Sequence, residues 1–493
     1  MNRSKPGTRG AVAAAALTVA AFTTAAPALA STGGTPLPAV NTASVPQANA
    51  TVVNVSSSEQ LATAMANAAP GHTIVLADGS YSIGKIRSRN GTPGAPITVM
   101  AARQGKAVIS GGQLELLDSS YVTFSGLKWT NSNTLKIDGS HHIRLTRNHF
   151  RLTESGSLKW VLIQGADSHH NRIDHNLFED KHQLGNFITI DGSSTQQSQH
   201  DLIDHNHFRN IGPRATNEME AIRIGWSAIS GSDGFTTVEN NLFENCDGDP
   251  EIISVKSNAN TVRYNTFRTS QGSLTLRHGN RSQVHGNFFL GGGRAGTGGV
   301  RVYGQDHRIY NNYFEGLTGT GYDAALQLDG GDVDTSGALS AHWRVYRATV
   351  VHNTFVDNVS NIEIGANYRL APVDSLVADN IVVGSSGKLF DELKAPENMT
   401  YAGNIGWPTG SATVGIDTGV RTVNPFLARQ GGVYRLGVGS PAVNTASGGH
   451  GFLTDDMDGQ ARDRTADVGA DELSTAPVVR GPLDPADVGI SAP

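Results

Sequence analysis

Apolar residues along this chain fall in short runs around single polar positions, the pattern of strands that bury one face. One stretch breaks it: SSEQLATAMANAA carries a helical period, predicting a helix from Ser58 to Ala69. Two motifs recur in the rest. The first is a tetrad ending in Asn-x-Phe: RNHF (Asn148), HNLF (Asn176), HNHF (Asn206), NNLF (Asn241), YNTF (Asn265), GNFF (Asn287), NNYF (Asn312) and HNTF (Asn353). Degenerate copies follow in DNIV (Asn380) and GNIG (Asn404). Spacings of 22 to 41 residues, with strand-like segments inside, predict a solenoid whose coils carry loops of unequal length. The asparagines are placed to stack as a hydrogen-bonded ladder, and the architecture expected is all-β, a parallel β-helix with an N-terminal helical cap.

The second motif sets a variable residue between aliphatics: ITID (Thr189), IRIG (Arg223), SVKS (Lys256), TLRH (Arg277), VRVY (Arg301), LQLD (Gln327) and IEIG (Glu363). In a strand the flanking residues turn inward and the variable one outward, so these positions should stack about 4.8 Å apart per coil. Four successive rungs are cationic: Arg223, Lys256, Arg277 and Arg301. Like charges stacked on one face repel, so the column calls for an anion.

Composition agrees with short strands and tight turns: 58 glycines and 6% aromatic residues. A single cysteine, Cys246, excludes an internal disulfide and reads as a small half-buried residue rather than a reactive thiol. A net charge of −6 over 493 residues gives no sign of nucleic-acid binding. Residues 1–30 read as a secretion signal, with Arg3, Lys5 and Arg9 before AVAAAALTVAAF and small residues at Ala28 and Ala30. Residues 31–50 follow as a linker, 51–472 as the solenoid with a segment covering its far end, and 473–493 as a loose tail. The expectation is a secreted monomer, without a membrane span, whose cationic column takes an anion.

Near the cationic column lies DGDPEIISVKS. Asp249 and Glu251 are two apart, so an extended backbone puts both carboxylates on one face. Adjacent carboxylates repel unless a cation lies between them, and a hard ion such as Ca²⁺ suits them. Upstream, TNEMEAIRIG offers Asn217 and Glu220 as further oxygen ligands. Spacing alone leaves a plain salt-bridge network open as the alternative. Strict alternation separates Glu251 from Lys256, so a bulge is expected near Pro250, Ile252 and Ile253.

The run DGDPEIISVKS, then LRHGN, then GGVRVYGQDHRIYNNYF resembles polysaccharide lyase family six, the family of alginate lyases and chondroitinase B. The likeness extends from about Asn54 to Glu472, through SPAVNTA and DVGADE. It implies a right-handed parallel β-helix and a calcium-assisted β-elimination. Lys256 would be the base and Arg277 the acid, with Asn217, Asp249 and Glu251 holding calcium and His278 and Arg301 binding substrate. Arg223 joins them as a cation facing the carboxylates of a uronate chain. Asp249 departs from the glutamate expected there. Alginate is the favoured substrate, because Thr318 to Trp343 is acidic or neutral and offers little to sulfate groups; dermatan sulfate is the alternative. A hydrolase would need two acids flanking the bond, and a non-catalytic binder would want aromatic platforms, which the variable positions lack.

Overall fold

The computed structural model describes residues 51–493, so the expected signal and linker lie outside the described residues. From there the chain winds into a parallel β-helix in which a typical coil supplies three short strands. One coil contains Thr237–Glu239, Leu242–Cys246 and Glu251–Lys256; the next contains Thr261–Arg263, Thr266–Arg268 and Gly272–His278. Each strand pairs in parallel with its counterpart one coil away. Val238, Phe243 and Ile253 point inward and are fully buried, so alternation fills a narrow core from three sides.

The tetrads form one corner. The residue before each ladder asparagine adopts a left-handed conformation, for example Arg147, His175, Tyr264 and His352 at φ 53–58°. That turn aims the asparagine inward, where side-chain Nδ2 donates to Oδ1 of the asparagine one coil on, at 2.9–3.1 Å, unbroken from Asn148 to Asn404. Two residues later the phenylalanines stack from Phe150 to Phe355 with centroids 4.5–5.1 Å apart. Identical residues recur because only the same side chain can both receive and pass on these contacts.

The cap helix spans Ser58–Ala66, three residues shorter than its period suggests. Ser57 Oγ accepts from the Gln60 amide, and Gln60 Oε1 accepts from the Ser56 amide. Leu61 and Met65 bury against the first coil. Pro70 disfavours helical geometry just before it, and the Asn67 side chain donates to the Thr63 carbonyl to close the end. Among the described residues, no helix is long and apolar enough to cross a membrane.

At the other end Ala412, Val414, Ile416 and Val420 pack over the last coil. Beyond them the chain turns back as a strap along the tetrad corner. Its contacts run in descending coil order: Ser447 to Asp379, Ala470 to Thr354, Tyr434 to Tyr313, Leu483 to Thr266 and Gly489 to His205. The segment expected to cover the end does so through residues 412–420 and beyond them covers a flank. The tail expected to be loose is docked: Val488 and Ala492 are buried, and Arg147 donates to the Ala492 carbonyl at 2.6 Å.

Candidate active site

The four cations come together, but not in one column. Arg223 pairs in register with Ser254, Ser254 with Thr275, and Thr275 with Arg301. Lys256 and Arg277 stand two positions further along, in a second outward column. Two bulges produce this. Against Gly272–His278, Glu251 faces Ser273 and Ile253 faces Leu274, leaving Ile252 extra; Val255 faces Leu276 and Lys256 faces His278, leaving Arg277 extra. The first bulge is the expected one, and it lets Glu251 and Lys256 share a side. The second swings Arg277 outward beside His278. The like-charge ladder thus becomes two short columns: Ser254 and Thr275 separate Arg223 from Arg301 in the first, and Lys256 and Arg277 stand on adjacent coils in the second.

Carboxylates below neutralise these cations. Glu251 Oε1 accepts from Arg301 Nη2 at 2.7 Å and lies 3.9 Å from Arg277 Nε. Ser254 donates to its other oxygen. Burial works to raise the Glu251 pKa, but Arg301, Lys256, the Ser254 hydroxyl and Arg277 hold it below the usual carboxylate range. Lys256 Nζ lies 3.9 Å from Glu220 Oε1. Glu220 is buried, accepts from Asn186 Nδ2 at 2.6 Å, and is held above its ordinary value, first by burial.

Asp249 differs. Its oxygens accept only two backbone amides, Glu251 at 2.9 Å and Met219 at 3.2 Å. Burial, then the charges of Glu220 and Glu251, push it up to about 8. Asp249 is thus a buried carboxylate without a cationic partner beside two more acids, and carboxylate oxygens are the donors that hard divalent cations take. Asn217 lies exposed in the loop that delivers Met219, and its side chain makes no hydrogen bond to the acids.

His278 is buried, and burial, Arg277 and Lys256 push its pKa down to about 2, so it is neutral. Arg277 Nη1 lies 3.3 Å from His278 Nδ1. A guanidinium can only donate, so the imidazole proton sits on Nε2, 3.2 Å from Ser227 Oγ. Arg277 also donates to the carbonyls of Ser340 and Ala341 at 3.3 and 3.4 Å. Arg223 is committed to Asp191 at 3.1 Å. Arg301 is 4% exposed and lies under the Tyr322 ring, its guanidinium 4.8 Å from the centroid.

Sequence reasoning missed an aromatic wall. Tyr303 follows Arg277 in the second column, with the Arg277 guanidinium 5.7 Å from its centroid. His342 stacks on Tyr368 at 4.0 Å, and Tyr368 meets Tyr322 hydroxyl to hydroxyl at 3.1 Å. The variable positions lack aromatics as expected; these come from the neighbouring column and from loops.

The chondroitinase B family matches residues 55–390. No curated protein matches the chain. Among solved structures, the PL6 family alginate lyase AlyGC is similar with a TM-score of 0.71 at 28% identity, over 87% of this chain and 59% of its own. A mannuronic acid specific polysaccharide family 6 lyase from human gut microbiota matches with a TM-score of 0.62 at 26% identity, over 73% of this chain and 86% of its own. This chain spans less than two thirds of the length of AlyGC. The family match takes in well over half of the sequence, with the bulged strands inside it, and the chain belongs to the chondroitinase B family, polysaccharide lyase family six.

Proposed function

We propose that the protein is a secreted, monomeric polysaccharide lyase that cleaves alginate by β-elimination. The observation that carries this reading is the convergence of Lys256 and Arg277, through two bulges, above buried carboxylates that include one without a counter-charge. The names of the similar structures, alginate lyase and mannuronic acid specific lyase, support the substrate class.

In the elimination Lys256 takes the C5 proton of a uronate. The released electron pair forms the C4–C5 double bond, the C4–oxygen bond breaks, and the departing oxygen takes a proton from Arg277. Water is not consumed. An amine that acts as base must be neutral when it takes the proton. Arg277 is aimed by His278 and by the Ser340 and Ala341 carbonyls. Buried Arg301 orients Glu251, and Arg223 with Asp191 faces a flanking sugar. Asp249, Glu251, Asn217 and Glu220 would hold the calcium ion, which supplies a positive charge for the substrate carboxylate.

A hydrolase is disfavoured because Glu251 is locked to Arg301 and Asp249 is buried, which leaves no pair of free acids flanking a bond. Dermatan sulfate is disfavoured because cations near the wall are already matched, Arg214 to Asp323 and Arg344 to Glu397. The test is incubation with alginate, polymannuronate, polyguluronate and dermatan sulfate, following ultraviolet absorbance and product mass. Unsaturated alginate fragments with no added water are expected. Fragments that have gained water, or turnover of dermatan sulfate alone, would refute the reading.

A further inference from the structure

On the strap side of the solenoid, away from the groove, a second group of ligand-type side chains converges. His352 and Asp379 hold the left-handed corner position on consecutive coils, at φ 53° and 54°, and both side chains are wholly buried. His352 Nδ1 lies 3.0 Å from the Asp467 carbonyl of the strap. A carbonyl only accepts, so Nδ1 bears the proton and Nε2 presents a lone pair. That Nε2 is buried without a hydrogen-bond partner and lies 3.8 Å from Asp379 Oδ2. A buried ring nitrogen left without a partner is uncommon in a satisfied interior.

The strap completes the group. His450 is half-buried in the loop SGGHG, and one ligand atom from each of His352, Asp379 and His450 lies within 4.8 Å of the others. Ser447 orients Asp379 through its amide at 2.7 Å and its hydroxyl at 3.2 Å. The next corner residue is Gly403, where a Cβ would stand 2.0 Å from Asp379 Oδ1, so the carboxylate fits only over a glycine. A surface cavity of ≈ 520 Å³, lined by Gly448, His450 and Arg462, opens on the His450 side of the group. Arg462 lies near, but Glu472 matches its charge at 3.1 Å.

We propose that His352, Asp379 and His450 bind one divalent transition-metal ion, zinc by the character of the donors, which fastens the C-terminal strap to the solenoid. Two imidazoles, one carboxylate and an open fourth position form a zinc set, unlike the all-oxygen donors of the groove. A histidine whose other nitrogen is fixed by a backbone carbonyl is the usual supported ligand. Two bonds of about 2.0–2.1 Å at a tetrahedral angle put ligand atoms roughly 3.3 Å apart, so the His352–Asp379 pair at 3.8 Å closes by about half an ångström, and the His450 atom, within 4.8 Å of both, by at most about 1.5 Å.

The experiment uses the full protein stripped by chelation and supplied with Ca²⁺. Zn²⁺ is titrated by calorimetry and thermal unfolding, and Co²⁺ is added for its visible spectrum. His450→Ala should lose tenfold or more in zinc affinity and lose the zinc-dependent rise in unfolding temperature. His450→Cys should restore binding with a thiolate band in the Co²⁺ spectrum. His141, His142 and His169 also bring ligand atoms within 4.8 Å on another corner. The double variant His141→Ala/His169→Ala should therefore keep the zinc response that His450→Ala loses. Failure of the stripped parent to take up zinc, or an equal zinc response in His450→Ala, would overturn the proposal. Turnover in the groove should be unchanged in all of these variants.

Discussion

The asparagine corner and the groove strands are built from the same coils, yet they differ in every respect that determines stability and reactivity. At the corner each side chain repeats its neighbour, every amide is matched, and the register never slips from Asn148 to Asn404. Across Glu251–His278 the register slips twice within one strand pair, cations and acids are buried together, and Asp249 has no counter-charge. The corner is a structure at rest. The groove crowds cations and buried acids whose titration is displaced from its ordinary range, and the corner, with its core, makes that arrangement tolerable.

The largest expected effect comes from the groove. Lys256→Ala and Arg277→Ala should each lower turnover by about 10²-fold or more. Circular dichroism and the unfolding midpoint should hardly change, because both side chains point outward from the strands. A variant that kept a tenth of the parent rate would lose its assigned proton-transfer role, and with it the contrast between the two regions.

Next is the unpaired acid. Exhaustive chelation should remove activity, and Ca²⁺ should restore it, with the solenoid folded throughout. Asp249→Asn should lower activity at least tenfold and weaken the calcium response. In chelator at about pH 9, above its value of about 8, ionised Asp249 opposes folding, so the variant should unfold at a higher temperature than the parent. Glu251→Gln should behave oppositely and destabilise by about 3–5 kcal/mol, since it strands buried Arg301. Activity that survived chelation, with metal analysis confirming removal, would reduce the acids to orienters of the cations.

The same contrast explains what the sequence revealed. The ladder was legible down to DNIV and GNIG, because a chain of mutual hydrogen bonds demands one residue type at one place. Glu251, Lys256, Arg277 and Arg301 were legible as partners, and one bulge could be placed from alternation alone. The second bulge was not, because an extra residue at Arg277 leaves the flanking aliphatics looking periodic; hence four cations read as a single column. Tyr322, His342 and Tyr368 lie on loops whose paths no local pattern fixes. The strap hid for another reason: its partners lie on coils far away in sequence, as Leu483 meets Thr266 and Phe452 meets Tyr310, and no local period marks such contacts.

Breaking the corner should weaken the fold and leave the chemistry alone. Asn265 donates to the Val238 and Arg263 carbonyls and to Asn287, and it accepts from Asn241. Asn265→Ala leaves several of these buried groups unmatched, at about 1–3 kcal/mol each, so a loss of about 4 kcal/mol is expected in urea unfolding. Well below the transition, kcat per folded molecule should equal that of the parent, although Asn265 lies on the same coil as Arg277. A fall in kcat at full folding would show that ladder and groove are mechanically coupled.

The smallest effect sharpens the comparison with a second buried acid, this one in the regular part of the solenoid. Asp201 precedes a strand at the position held by Asn171 one coil earlier, and its Oδ1 accepts the Asn171 amide at 2.8 Å while Ser198 donates to Oδ2 at 2.6 Å. Burial outweighs these bonds and raises its pKa to about 6. The folded protein therefore holds the proton more tightly than the unfolded chain. This contribution is present in full below about pH 4 and is lost as pH rises through about 6, on the order of 3 kcal/mol in all. Asp201→Asn removes that loss and keeps an acceptor for the Asn171 amide. Relative to the parent, the variant should gain stability between about pH 4 and pH 7, and other titrating groups cancel in the difference. Unlike Asp249→Asn, the gain should be the same with Ca²⁺ or with chelator, because no ligand is expected at Asp201. Parallel stability curves for parent and variant would show that Ser198 and Asn171 already hold Asp201 ionised, and a calcium-dependent gain would erase the distinction between the two acids.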